Sequence, residues 1–138
     1  MHVLIGLHAA LGEAGALAFL WVLIELLSPT ESRLRRARIA ALLGFLLLCG
    51  AWVVGGYYYV VEYGVAVKPI IKAGPLPWAH SVITETKEHV FLFIPFLALL
   101  TWGMLSRYRS ERMHNREARI AVMFTAALIV LLAFAMAG

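Results

Sequence analysis

The chain has 138 residues, of which 62% are hydrophobic and only 14% charged, and its mean hydropathy is +0.84. Soluble domains run at about 45–50% apolar and about 25% charged, so this chain has too little polar surface to cover itself in water; a disordered segment, a disulfide-stapled secreted scaffold and an ordinary soluble enzyme are excluded. The net charge of +4 comes from nine arginines in two runs, Arg33 to Arg38 and Arg107 to Arg119, three lysines between the runs, and eight acids that are all glutamate.

Four apolar segments predict an all-α, single-domain fold: an integral membrane bundle of four transmembrane helices at about 3–27, 30–62, 78–106 and 116–137. The first segment lacks the basic start of a signal peptide and is too long for one, so it reads as a retained helix. Ser28-Pro29-Thr30-Glu31 reads as an N-cap, a proline at the first helical position and a glutamate at the third, opening the second helix near Pro29. Glu25, near the end of the first helix, is expected to reach Arg33 or Arg36. The second helix is expected to end near Glu62, leaving a long connection to Trp78. Pro75 and Pro77 break the chain before the third helix. Pro95 lies inside that helix and frees the Phe91 carbonyl. Asn115 followed by Glu117 reads as the start of the fourth. Cys49 sits in an apolar run and reads as a small core residue.

Both arginine runs fall in connections on one side of the bundle. The positive-inside rule then puts both termini outside, in the periplasm if the membrane is a bacterial inner membrane. Tyr57, Tyr58, Tyr59, Tyr63 and Trp78 gather at the outer boundary as an aromatic belt. No CxxC, CxxCH, HExxH, Walker loop or nucleotide fingerprint occurs, so no catalytic residue is assigned. The arginines lack the aromatic interleaving of a nucleic-acid groove, and nucleic acid is not an expected partner.

The histidines carry the sharper signal. His2 and His8 lie at the outer end of the first helix and His80 and His89 at the outer part of the third; only His114 lies inside. His8 and His89 fall at similar depth on different helices, the arrangement that a six-coordinate haem b or a transition metal ion needs. Glu85, one turn from His89, is a possible further metal ligand or an orienting group. His80 is nine residues before His89, on the opposite side of a regular helix, and reads as a surface or gating residue. Lys87 and Glu88 read as a solvated helix end. Glu13 is the clearest intramembrane charge, and Glu62 shares the outer half. Gly12 and Gly15 share the face of His8 and would let a porphyrin or a neighbouring helix approach.

Leu7-His8 in a glycine-rich first helix, Gly55-Gly56-Tyr57 closing the second, and Trp78-Ala79-His80 with Lys87 leading into the third resemble small bacterial inner-membrane proteins of the copper-resistance and haem-type membrane domain group. That resemblance implies a metal or haem near the outer face with His8 as a ligand. Three functions are compatible with the residues. One is a membrane-embedded haem- or metal-binding redox module serving quinone and a periplasmic redox partner. Another is a non-catalytic subunit or assembly factor of a larger membrane complex. The third is a small transporter or ion-conducting homo-oligomer built around Glu13.

Overall fold

The structure of the chain, a computed structural model, describes residues 2–107 and 115–137; the readings placed on His114 and on the arginines between 108 and 114 lie outside the described residues. It contains α1 (His2–Leu26), α2 (Glu31–Tyr58), a π-helical stretch (Tyr59–Val67), the short α3 (Lys68–Ala73), a second π-helical stretch (Ala79–Thr84), α4 (Glu85–Arg107) and α5 (Arg116–Ala137). No strand occurs among the described residues. Among the described residues, four helical runs are long and apolar enough to cross a membrane, as composition dictated.

The four runs close into a ring in which α1 packs on α2, α2 on α4, α4 on α5 and α5 back on α1. This is the up-and-down order that short connections impose on a bundle. The core is Phe19, Val22, Leu26, Leu34, Ala37, Ala40, Leu48, Ile94, Leu105, Val122 and Ile129. The α1–α2 contact is close because glycine permits it. A Cβ on Gly44 would lie 2.7 Å from the Phe19 ring, and one on Gly15 would lie 2.7 Å from the Leu48 side chain. Gly15 therefore serves helix packing. Gly12 faces open space, since a Cβ there would meet nothing.

The end of the bundle that carries the arginines is clamped by polar contacts. Glu25 is buried and accepts from Nε of Arg33 at 2.9 Å and Nε of Arg36 at 2.7 Å. Arg36 adds a second bond through Nη2, and Trp21 donates its indole N–H. Both of the arginines anticipated as partners are thus engaged at once. Arg38 donates to the Leu105 carbonyl and joins α2 to α4. Between α4 and α5, the Thr101 hydroxyl meets that of Thr125 at 2.9 Å. The α2 cap differs by two residues from the expected one. Thr30, in extended conformation, accepts from the Arg33 N–H, so the helix opens at Glu31 rather than at Pro29. Asn115 accepts from the Glu117 N–H, as expected of a helix start.

The largest departure lies at the other end. The second run does not stop near Glu62 but stays helical to Ala73, 43 residues in all. The expected loop from Glu62 to Trp78 shrinks to a turn at Gly74 through Pro77. The run passes Pro69 because its turns widen there. A proline has no N–H and clashes with the carbonyl four residues back. Here the preceding turns widen to π geometry, the Lys68 N–H bonding the Tyr63 carbonyl five residues back, and the chain then resumes α-helix. The second π-helical stretch, after Pro77, ends the same way, with the Glu85 N–H on the His80 carbonyl. The 43-residue run is about 60 Å long at ~1.5 Å per residue, against a hydrocarbon layer of ~30 Å. The pairs Phe19–Gly44, Gly15–Leu48 and His8–Gly55 set the antiparallel register, which brings the start of α1 level with Val61. Thr101 and Thr125 set that of α4 and α5, which brings Ala137 level with His89. The helical hairpin between Tyr63 and Glu85 therefore projects beyond the described ends of α1 and α5.

Candidate functional site

The base of the projecting hairpin holds a polar cluster built from its two π-helical stretches. His80 is fully buried, which corrects its reading as a surface or gating residue. It is buried because the π turns of Ala79–Thr84 rotate it toward the second run, where the Tyr63 ring packs 5.8 Å from it. The Tyr63 hydroxyl lies 3.0 Å from Nδ1 of His80 and 3.3 Å from the Thr84 hydroxyl, which itself donates to the Ala79 carbonyl. These bonds define a direction. Thr84 uses its proton on Ala79 and Tyr63 uses its proton on Thr84, so the Nδ1–H of His80 donates to Tyr63. The other ring nitrogen, Nε2, is buried without a hydrogen bond and faces a Glu85 carboxylate oxygen at 3.5 Å.

Tyr59 stacks on Tyr63 with ring centroids 5.2 Å apart, and its hydroxyl reaches Lys68 and Glu88. Glu88 keeps one buried oxygen without a hydrogen bond. It belongs to this cluster and is not the freely solvated helix end expected of it. Tyr59 and Tyr63 likewise leave the aromatic belt for the cluster. Glu62 and Lys87 are both engaged in contacts.

His8 occupies a different place, between α1, α2 and α4. Its Nδ1 lies 2.8 Å from the Ala51 carbonyl, so the Nδ1–H donates and Nε2 is left free. Its ring sits where a Cβ on Gly55 would be, 2.6 Å from Nδ1. The edge of Phe91 meets it at 5.1 Å between centroids. Because α4 presents Phe91 to His8, it turns His89, two residues earlier, about 160° away. His89 is exposed, and its Nδ1–H donates to the Glu85 carbonyl at 2.6 Å. The structure therefore does not bring His8 and His89 together. Glu85 faces His80 instead of joining His89 in a ligand pair. Among the described residues no group of three or more His, Cys, Asp or Glu side chains gathers as a metal site. Glu13 is exposed on the outward side of α1.

Sequence reasoning missed Tyr63 as the partner of His80. The signal that could have found it is the short proline-flanked turn, which folds the two segments back on each other. Comparison with family models, curated proteins and solved structures gave no match.

Proposed function

We propose that this chain is a non-catalytic subunit or assembly factor of a larger membrane complex, set in a bacterial inner membrane with its arginines inside and both termini in the periplasm. The observation that carries this reading is the projecting hairpin. It is too long to be needed for crossing the bilayer, it is braced at its base by the Tyr63–His80–Thr84 chain, and it exposes Val65, Ile70, Leu76 and Val82 outside the bundle. Apolar side chains held out on a braced element suit a protein contact. The basic inner loops suit anionic lipid. The test is purification of the native chain in mild detergent beside a Val65→Lys, Ile70→Lys variant. The reading requires a co-purifying membrane protein that the variant loses while its helicity is unchanged. A monodisperse species without a partner in both preparations rejects it.

A second reading, a haem b or transition-metal redox module between quinone and a periplasmic partner, is favoured by one observation, the geometry of His8. Donation of Nδ1–H to the Ala51 carbonyl fixes the tautomer and leaves Nε2 as the ligand atom. It agrees with the resemblance that names His8. A Soret band in the reduced protein, lost in His8→Ala, supports it; no visible band and no bound metal by elemental assay reject it.

A further inference from the structure

At the base of the hairpin two buried side-chain atoms have no hydrogen bond among the described residues, Nε2 of His80 and Oε1 of Glu88. Buried polar atoms are nearly always partnered in folded proteins, so such an orphan points to something that binds there. The bonds around His80 fix the chemistry of its orphan. Nδ1 carries the proton that goes to the Tyr63 hydroxyl, so Nε2 of the neutral ring presents a lone pair. That lone pair is aimed at a carboxylate oxygen of Glu85, 3.5 Å away. Two electron-rich atoms facing each other attract a cation.

The spacing selects the kind of cation. With bonds of ~2.1 Å to an imidazole nitrogen and to a carboxylate oxygen, a 3.5 Å separation sets an angle of about 113° at the metal, close to the tetrahedral angle of zinc. The ring is also held as a ligand must be. Its Nδ1–H is tied to Tyr63, which is tied in turn to Thr84, the kind of orienting partner that a metal-bound histidine has. The His80 side chain is 0% exposed and that of Glu85 43%. The site is therefore closed on the ring side and open on the carboxylate side, where an ion can enter and water can complete its shell. Glu88 follows Glu85 by three residues, on the same face of α4, and adds negative charge to that side.

We propose that Nε2 of His80 and the Glu85 carboxylate bind a divalent transition-metal ion, zinc by donor set and angle, and that the ion pins the start of α4 to the base of the hairpin. Two protein ligands hold it, in keeping with the absence of any group of three among the described residues. A structural zinc takes four protein ligands, so this site is a reversible one. It is separate from His8, whose own ring is tied to the Ala51 carbonyl, and it does not depend on what contacts the outer part of the hairpin.

The test uses the full chain, purified in detergent, freed of metal with a chelator and titrated with zinc chloride against a chelating dye. Loss of an orienting partner alone costs about 10–100-fold in metal affinity, so His80→Ala and Glu85→Gln are each expected to weaken binding by at least about tenfold. His89→Ala, at an exposed position one turn away, and His8→Ala are expected to stay within about threefold. Circular dichroism checks the fold, and Glu85→Gln decides alone if His80→Ala does not fold. In hydrogen–deuterium exchange, zinc is expected to slow the amides of residues 79–88 in the native chain and not in Glu85→Gln. An adventitious ion only, bound equally by the native chain and Glu85→Gln or without effect on those amides, overturns the proposal. So does the absence of zinc binding, or a loss that follows His8→Ala instead.

Discussion

The Tyr63 hydroxyl lies 3.0 Å from Nδ1 of His80, and this contact joins two helical segments that both depart from α geometry. The pair closes the base of a hairpin beyond the reach of α1 and α5, where no core from the other helices supports it. Tyr63→Phe removes the hydroxyl and leaves a buried ring nitrogen unpaired, at a cost of about 1–3 kcal/mol. The expected outcome is local. Amides between 59 and 88 exchange faster with deuterium, while those of α1 and α5 keep their protection. Equal acceleration throughout the bundle contradicts the assignment of the contact as a local brace.

The Glu25 clamp predicts an asymmetry between Arg36, which bonds it, and its neighbour Arg35. Glu25→Gln leaves two arginines facing a neutral amide and is expected to cost about 2 kcal/mol, below the usual figure for a buried pair because the arginines are partly exposed. Arg36→Lys cannot reproduce the two-pronged contact through Nε and Nη2 and should also destabilise. Arg35→Lys, at an exposed position, should not. Thermal unfolding in a fixed detergent ranks the three; equal midpoints for Arg36→Lys and Arg35→Lys count against the clamp.

Adjacent glycines provide an internal control for the His8 pocket. A Cβ at Gly55 collides with the His8 ring, whereas one at Gly56 meets nothing. Gly55→Ala is expected to destabilise by about 1–3 kcal/mol through overpacking. Gly56→Ala should be neutral or slightly stabilising, since alanine favours helix by up to ~1 kcal/mol. Measured unfolding free energies that place the two variants together reject the described position of His8.

The Thr101–Thr125 contact lends itself to a double-mutant cycle. Each hydroxyl also donates to or lies against its own helix, Thr101 on the Leu97 carbonyl and Thr125 on that of Val122. Interhelical bonds of this kind in membranes average about 0.6 kcal/mol, so Thr101→Val and Thr125→Val should couple by about that amount. A coupling energy indistinguishable from zero shows that the two helices are held there by packing alone.

Much of the architecture was legible because it follows from composition. Apolar runs of bilayer length have few alternatives to helix, and Glu25 had arginines within reach on the next helix. The candidate site was less legible. His8 and His89 matched in depth, yet the rotation of α4 about its axis decides which of its residues faces α1, and it presents Phe91. His80 looked exposed on an α-helical wheel, but π turns change the angle per residue and turn it inward. Glu62 looked like a helix end because the second apolar run was read as stopping at Val61; Pro69 was accommodated by wider turns instead of ending the run.

The scarcity of charge, 14% of the residues, by itself determined that four apolar helices form and that the arginines collect at one end, because each of these depends on local composition and on the cost of moving charge into lipid. What faces what was decided only by the tertiary structure. The rotation of each helix about its axis is set by close contacts such as Gly44 on Phe19 and Gly55 on His8. Those contacts exist only once the helices are together. That packing turned Phe91 toward His8 and left Glu13 facing out of the bundle, while the π turns brought Tyr63 and His80 together.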